Sequence, residues 1–363
     1  NALTINQSSS HGIINWQGFS IGAGNRVQFN NGAGATLNRV TGKTLSRIDG
    51  SLSATGSVYL INLQGIVVGP GGKVVTNGSF VASTRDVSGS AFMSGGALSA
   101  SGTSNGDVVN AGTITSANGD AILVGRSVKN TGSISAPNGT AVMAAGNEIL
   151  LQPVGSDSRI AVSGGRGDVT NAGAVKAAQA ALASAGGNVY ALVENNGGIN
   201  ATGTANINGH VWLTAGDTAQ ISGNVTAANA DGSGGTVTAR AHNISVSGTV
   251  EASAAKAGKT GGNVSVVASG DTTVTGTIKA TGKAGGKGGR VETSGHTLTI
   301  GGAAVDAGEG GQWLLDPFDL TVDSSAASTI DSSLGAGTDV TLQTTASGTS
   351  GPGTADAAGN GDI

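Results

Sequence analysis

The chain has no cysteine, only ten aromatic residues (three Trp, two Tyr and five Phe), and 363 residues in all. The absence of cysteine excludes a disulfide scaffold and thiolate-bound metals. No apolar run approaches the roughly 18 residues that a membrane-spanning helix requires. Because large side chains are scarce, a wide globular core is not expected. Any core must be narrow and filled by small and β-branched residues.

Charge is also scarce, at 11% of residues with a formal net charge of −4. Proteins that bind nucleic acid normally carry a basic patch, so nucleic acid is not an expected partner. Disordered chains combine high charge with low hydrophobicity. Hydrophobic residues reach 37% here, which argues against extensive disorder.

Glycine, by contrast, occurs 65 times. It shows no three-residue period, which excludes collagen. Instead, Asn-Ala-Gly-Thr-Ile at 110–114 returns as Asn-Thr-Gly-Ser-Ile at 130–134, and Gly-Gly-X-Val begins at Gly234, Gly261 and Gly288. Short strands that recur at such intervals, between Gly, Asn and Ser turns, predict a solenoid.

A right-handed parallel β-helix fits this pattern best. Leucine-rich repeats share the period, but they need regularly spaced leucines, which are sparse here. Coils of a β-helix stack at about 4.8 Å, so that inward Val, Ile and Ala form a dry column. We expect Ile134 to face inward, and Asn110 and Asn130 to form an amide ladder. The Ala-rich segment 176–184 is open to two interpretations, a helical or an extended excursion between coils.

The stretch 60–72 predicts two apolar strands around a polar turn at 62–65, which would reverse the chain. Asn and Gly suit such a turn because they tolerate positive φ. The stretch has specific flanking sequences, namely Asn-Trp at 15–16, Leu-Asn-Arg-Val at 37–40 and Val-Ala-Ser-Thr at 81–84. This order and spacing resembles the amino-terminal secretion domain of two-partner secretion exoproteins, the filamentous-haemagglutinin-like family.

The resemblance is close over residues 1–240. The family's turn is usually Asn-Pro-Asn-Gly, whereas Leu63 and Gln64 hold its middle positions here. We expect an all-β fold, a right-handed parallel β-helix with an amino-terminal β cap formed by residues 2–29. The expected domains are the secretion domain at 1–240, continuing β-helix repeats at 241–322, and an acidic, Gly/Ser/Thr-rich segment at 323–363 that leads into a missing carboxyl-terminal region.

The resemblance also implies a function. The chain would be part of a bacterial adhesin, exported through a dedicated outer-membrane transporter and displayed or released at the surface of a Gram-negative cell after transit through the periplasm. It would cross unfolded, which suits the absence of disulfides. The residues implied as secretion or folding determinants are Asn15, Trp16, Asn38, Asn62 and Gly65. We expect Asn62→Ala or Gly65→Val to reduce export and to affect folding less.

Alternatives remain open at this stage. Parallel β-helices also include carbohydrate-active enzymes, and secretion domains of this kind precede haem-capturing, cytolytic and contact-inhibition proteins. The four histidines lack metal-ligand spacing, and no catalytic motif is present, so we expect neither an enzyme nor a cofactor. The chain starts without a signal peptide, which indicates a mature form, and it resembles the amino-terminal fragment of a longer, monomeric protein.

Two segments are candidates for attachment. Arg166, Gly167 and Asp168 form the tripeptide that integrins recognise, within a Gly-rich turn, although a plain solvated turn is the alternative. Lys256 and Lys283 are 27 residues apart, which is also the interval between Gly234, Gly261 and Gly288. Together with Lys287 they could line a ridge for an anionic polysaccharide. A solubilising face is the alternative there.

Overall fold

The computed structural model describes residues 1–95, 99–151, 159–192 and 198–344, which form mainly short strands. Two compact units are present, residues 1–187 (unit 1) and 188–363 (unit 2). In both units, strands pair in parallel with strands one coil further along the chain. This pairing confirms the predicted parallel β-helix.

In its described residues, unit 1 has 21 strands and one short helix. They are β1 (Ala2–Asn6), β2 (His11–Trp16), β3 (Arg26–Asn30), β4 (Ala35–Val40), β5 (Ser46–Ile48), β6 (Ser51–Ala54), β7 (Ser57–Asn62), β8 (Ile66–Val68), β9 (Lys73–Thr76), β10 (Phe80–Ser83), β11 (Asp86–Val87), α1 (Gly89–Met93), β12 (Ser99–Ser101), β13 (Val108–Asn110), β14 (Thr113–Ser116), β15 (Ala121–Gly125), β16 (Val128–Asn130), β17 (Ser133–Ala145), β18 (Glu148–Leu151), β19 (Ile160–Ser163), β20 (Val169–Asn171) and β21 (Ala174–Ser184).

Each coil of unit 1 passes through three parallel ladders in turn. The first ladder contains β1, β3, β6, β9 and β14. The second contains β2, β4, β7, β10 and β15. The third contains β5, β8, β13, β16 and β20. The long strands β17 and β21 belong to both the first and the second ladder.

The core follows from this register, because equivalent residues of successive coils stack on each other. Ile134 pairs with Ile114 on one side and Val175 on the other, and all three are buried. The predicted inward orientation of Ile134 is therefore confirmed. The amide ladder is confirmed too, since Asn110 Nδ2 donates to Asn130 Oδ1 at 2.8 Å.

Residues 2–29 lie at the end of the stack, as expected of a cap. They supply strands to the ladders rather than a separate fold, since β1 and β2 pair in register with β3 and β4. The Trp16 and Phe19 rings meet edge to face with centroids 5.4 Å apart. Phe29 is fully buried. The cap is thus a first coil closed by aromatic side chains.

Two details of the sequence interpretation were wrong. The turn at 62–65 does not reverse the chain, because β7 belongs to the second ladder and β8 to the third, so the turn is a corner of one coil. Residues 176–184 form neither a helix nor an excursion. They lie in the buried strand β21, because small alanines fit between tightly spaced coils.

Two excursions interrupt the coils of unit 1, and the sequence analysis did not predict them. The first carries β11 and β12, and the second carries β18 and β19. Strands β11, β12, β18 and β19 pair antiparallel into a separate four-stranded sheet. Helix α1 lies between the first two of these strands. A residue repeat cannot reveal such a sheet, because its strands lie outside the repeated ladders and β12 pairs with β18 across the strands β13–β17.

In its described residues, unit 2 has sixteen strands and one helix. They are β22 (Val189–Ala191), β23 (Gly198–Ala201), β24 (His210–Ala215), β25 (Thr218–Ile221), β26 (Asn224–Ala227), β27 (Thr236–Ala241), β28 (Asn243–Val246), β29 (Thr249–Glu251), β30 (Asn263–Ala268), β31 (Asp271–Val274), β32 (Thr277–Lys279), β33 (Arg290–Ser294), β34 (Thr297–Thr299), β35 (Ala304–Asp306), β36 (Gln312–Leu315), α2 (Ser324–Gly335) and β37 (Asp339–Leu342).

Unit 2 repeats the same order of ladders. Its first ladder contains β23, β26, β29, β32 and β35. Its second contains β24, β27, β30, β33, β36 and β37. Its third contains β22, β25, β28, β31 and β34. The 27-residue spacing is visible in the pairs formed by Asn263 with Thr236 and with Arg290.

Candidate functional site

The corner at residues 62–65 is built around a buried side chain. Asn62 Nδ2 donates to Thr44 O at 3.0 Å and to Ser46 Oγ at 2.9 Å, both on the preceding coil. Its Oδ1 accepts from Gln64 N at 2.9 Å. A single amide therefore closes its own corner and ties that corner to the neighbouring coil.

Gly65 completes the corner with a φ of +122°, a backbone conformation that strongly favours glycine. Its N–H donates to Asn62 O at 3.1 Å, and its carbonyl accepts from Ser46 N at 3.0 Å. A Cβ at this position would lie 3.3 Å from Asp107 O on the next coil. The backbone conformation therefore favours glycine, and the spacing between coils leaves little room for a Cβ.

The two positions at which this chain departs from the family's usual turn, Leu63 and Gln64, point to solvent. Leu63 is 44% exposed. Only its carbonyl is engaged here, by Ser104 Oγ at 2.5 Å. The hydrogen bonds of the corner therefore come from Asn62 and Gly65 and do not depend on the replaced side chains.

Trp16 and Asn38 are brought together from neighbouring coils, on β2 and β4. Trp16 Nε1 donates to Asn38 Oδ1 at 3.0 Å, and Asn38 Nδ2 donates onward to Tyr59 O at 3.3 Å. Asn38 is fully buried, whereas the neighbouring Asn15 is exposed. Four of the five predicted secretion residues thus hold coils together, and Asn15 alone is presented to solvent.

Asn31 plays a similar part that the sequence analysis missed. It is buried between β3 and β4, where its Nδ2 donates to Ser57 O at 2.9 Å and its Oδ1 accepts from Gly56 N at 2.7 Å. The sequence signal for this corner is Gly32, which follows Asn31 directly. In the structure Gly32 has a φ of +58°. This corner lies one coil before the corner of Asn62.

The antiparallel sheet is attached to the coils by charged and aromatic contacts. Arg39 donates through Nε to Asp86 Oδ1 at 3.0 Å, and through its terminal nitrogen to Val87 O at 2.9 Å. Phe92 of α1 lies edge to face with Tyr59, with centroids 5.1 Å apart. Burial raises the pKa of the Tyr59 hydroxyl, and the nearby charge of Asp120 raises it further.

Arg85 joins the two excursions from a fully buried position. Its Nε donates to Gly146 O at 2.6 Å, and a terminal nitrogen donates to Ser104 O at 2.8 Å. Burial lowers the pKa of Arg85, and repulsion by Arg126 lowers it further. No sequence signal linked Arg85 with Gly146, because they are 61 residues apart.

The Arg-Gly-Asp tripeptide lies at the start of β20 and is integrated into the stack. Gly167 O accepts from Ser184 Oγ at 2.7 Å, and Asp168 O accepts from Val128 N at 3.0 Å. Arg166 is exposed, whereas Gly167 and Asp168 are half-buried. The tripeptide is therefore held between coils and is not the tip of a free loop.

The lysine candidates lie in two loops of unit 2 that stack on each other. Gly258 N donates to Lys283 O at 2.7 Å, and Gly261 N donates to Lys287 O at 3.0 Å. Lys256, Lys283 and Lys287 are all exposed. We call these three side chains the lysine corner.

One histidine, His210, has a distinct environment. Its ring stacks on Trp212 with centroids 3.7 Å apart, and its Nε2 lies 3.0 Å from Thr238 Oγ1. Burial lowers its pKa to about 4, so it is neutral at physiological pH. Throughout the described residues, no group of three or more His, Cys, Asp or Glu could hold a metal ion. No described helix is long and apolar enough to cross a membrane.

Comparison with known proteins agrees with this geometry. The family described as "TPS secretion domain" matches residues 1–227. The solved HMW1 secretion domain from Haemophilus influenzae superimposes with a TM-score of 0.68 and 26% identity, over 84% of this chain and 92% of that one.

Two proteins named heme/hemopexin-binding protein, both from Haemophilus influenzae, are 37% identical to this chain over 89 and 87 residues. These stretches are 24% and 23% of this chain. The chain spans about a tenth of the length of these relatives.

The family match over residues 1–227 and the likeness to the HMW1 secretion domain show that this part of the chain is an export-directing domain. The chain belongs to the two-partner secretion family, through the secretion domain that its amino-terminal part forms. Proteins of this family are secreted by Gram-negative bacteria across the outer membrane, to the cell surface or the medium. Their partner is an outer-membrane transporter of the two-partner type.

Proposed function

We propose that the exported protein is an adhesin and that the lysine corner binds an anionic polysaccharide of a biofilm matrix or a host surface. The stacking of the two loops supports this proposal, because it brings the segments that carry the three exposed lysines onto successive coils. Lys283 Nζ donates to Ala255 O at 3.0 Å, which fixes its side chain across the neighbouring loop. Carboxylate or sulfate groups of a polysaccharide complement a surface rich in ammonium groups.

A nearby acidic group does not cancel this charge. Asp231 is paired with Lys259 at 2.8 Å, and hydrogen bonds from Lys259 and Ser233 strongly lower the pKa of its carboxyl group. Lys259 and Asp231 therefore neutralise each other, and the net positive charge belongs to the lysine corner.

Binding to immobilised heparin, measured over a range of salt concentrations, tests the proposal. Heparin retention should fall as salt rises, because exposed charges are screened beyond about 8 Å at physiological ionic strength. Replacing Lys256, Lys283 and Lys287 by Gln should abolish retention. The matched control replaces Lys43, Lys73 and Lys129, which are exposed in unit 1. Equal loss in both triple variants would mean that net charge alone is responsible.

Capture of haem or hemopexin is the second candidate function, favoured by the names of the two Haemophilus relatives. His210 is unsuited to bind iron, since it is stacked on Trp212 and hydrogen-bonded to Thr238. Titration with hemin, followed by the Soret band, and pull-down with hemopexin test this candidate. Saturable binding of either ligand would favour it over attachment.

The Arg-Gly-Asp tripeptide is a further attachment candidate. An integrin would need Asp168 presented at an accessible apex, whereas its backbone is bonded between coils. Cell attachment that is abolished by Asp168→Glu and insensitive to salt would support this candidate over the lysine corner.

We also infer that the chain acts without catalysis. Asp107, Lys129 and Asp168 line one shallow groove, and a pair of carboxylates is what most polysaccharide-cleaving enzymes use. However, Asp107 is already engaged by Arg126 at 2.8 Å and by Ser127 N at 3.1 Å. An assay for new reducing ends with acidic polysaccharides should show no product, and product formation that requires Asp107 would overturn the inference.

A further inference from the structure

Helix α2 occupies a place where the coil pattern of unit 2 calls for a strand. Each earlier coil passes from the second ladder to the third and then to the first, as β33, β34 and β35 do. After β36 the chain forms α2 instead, and then returns to the second ladder as β37, in register with β36. Gln312 pairs with Asp339, which is the usual 27-residue interval. The coil therefore keeps its length, but a segment that contains α2 replaces both its third-ladder and its first-ladder strand.

Strand β35 is consequently the last strand of the first ladder among the described residues. In a parallel strand the backbone N–H and C=O groups of successive residues point alternately to the two neighbouring strands. Ala304 N donates back to Gly276 O at 3.0 Å, and Asp306 O accepts from Ala280 N at 2.9 Å. Val305 O and Ala307 N point the other way, towards the position of an incoming strand.

Hydroxyl groups from α2 and the residues that follow it occupy these positions. Ser333 Oγ donates to Val305 O at 2.7 Å, and Thr338 Oγ1 accepts from Ala307 N at 3.0 Å. Thr329 Oγ1 donates to Ile300 O at 3.2 Å, directly after β34. Thr329, Ser333 and Thr338 are all buried. Two hydroxyl side chains thus satisfy the β35 edge that a further strand would otherwise use, and the third anchors α2 to the end of β34.

We propose that α2 is an end cap that prevents a second copy of this chain from adding a strand to β35. An uncovered strand edge recruits other strands through its free N–H and C=O groups. The complementary strand on a second copy is β1, which is the first strand of the first ladder. Among the described residues, β1 has a single strand partner, β3, so its other edge is open. Such a contact joins two different surfaces of the two copies and is therefore heterologous, so it would produce rings or open chains of molecules.

The sequence of α2 fits a cap that depends on docking. Asp323 caps the amino-terminal end of the helix, where its carboxylate accepts from Ala326 N at 2.8 Å. Its residues are mostly Ser and Ala, and short helices of this kind are marginal in isolation. Its two remaining mid-helix serines, Ser328 and Ser332, are exposed and donate within the helix, to Ser324 O and Ser328 O.

Light scattering after size-exclusion chromatography, over a hundredfold range of chain concentration, tests the proposal. The cap variant carries Thr329→Ala, Ser333→Ala and Thr338→Val. It should form oligomers whose mass rises with concentration, whereas the parent chain should remain monomeric. The matched control, Ser328→Ala with Ser332→Ala, removes the same chemistry from the exposed side and should behave like the parent.

Two further variants make the outcome decisive. Thr4→Pro removes an N–H from β1, so adding it to the cap variant should restore the monomer. Replacing residues 324–335 by a twelve-residue Gly-Ser linker removes the cap entirely. A monomeric linker variant that retains its β-sheet circular dichroism would overturn the proposal. Loss of that β signal would show that α2 supports the core rather than the edge, and would overturn it equally.

Discussion

Asn130 donates from Nδ2 to Asn171 Oδ1 at 2.7 Å, although the two residues are 41 positions apart. Asn130 also accepts from Asn110, and Asn171 Nδ2 ends the series on Gly173 O at 3.0 Å. The excursion of β18 and β19 lies between Asn130 and Asn171 in sequence. The amide ladder therefore continues across an insertion, because stacking of coils and not sequence spacing sets its register.

The first prediction concerns this amide ladder. Asn130→Ala should lower the free energy of unfolding by about 2–4 kcal/mol, because it leaves the Asn110 donor and the Asn171 acceptor buried without their partner. Urea denaturation followed by circular dichroism measures the change. Asn118→Ala is a suitable control, since Asn118 belongs to an exposed series with Asn77 and Asn138. An equal effect at both positions would contradict the importance of burial.

The second prediction concerns the corner at 62–65. Asn62→Ala should lower the free energy of unfolding by about 2–4 kcal/mol, since three hydrogen bonds of a buried side chain are lost. Gly65→Val should cost about 1–3 kcal/mol through backbone strain alone. The exposed Leu63→Ala should stay within about 0.5 kcal/mol of the parent chain.

Export of the same variants separates folding from recognition. Secretion by cells that contain the partner transporter should fall for Asn62→Ala and Gly65→Val in proportion to their lost stability. If the purified variants fold normally but are not exported, the corner acts as a recognition signal, and the role in folding is excluded.

The third prediction concerns the dry core. Ile134→Asp should destabilise unit 1 by more than about 4 kcal/mol, because it buries an unpaired carboxylate between Ile114 and Val175. Thr113→Asp, on an exposed position of the same ladder, is the control. Thermal unfolding is the measurement, and an unchanged melting temperature for Ile134→Asp would refute the register.

The fourth prediction concerns pH. Burial lowers the pKa of His210 to about 4, below its ordinary value of 6.5, so the unfolded chain binds the proton more tightly. The stability contributed by neutral His210 is complete above pH 6.5 and is lost as pH falls towards 4. Between pH 4 and pH 6.5 the free energy of unfolding should rise with pH by up to about 1.4 kcal/mol per pH unit. His210→Gln should remove this component of the slope, whereas His242→Gln, at an exposed position, should leave it in place.

The repeat intervals were enough to predict the parallel β-helix. Ile134 and the pair Asn110 and Asn130 were placed correctly, because a fixed interval along the chain becomes a fixed position on successive coils. Asn62 and Gly65 were found for another reason, since they combine a local turn signal with the family resemblance. The corner they form was misread as a chain reversal, since a local turn signal does not show which strands will pair.

The contacts that break the repeat could be found only in the folded structure. The antiparallel sheet, the buried Arg85 and the ion pair of Arg39 with Asp86 join segments with no common interval. Helix α2 was missed because its Ser-rich sequence has little apolar periodicity, and its buried hydroxyls find their partners on β35. Periodicity records what each coil shares with the next, whereas the ends and attachments of a solenoid depend on pairings that occur once.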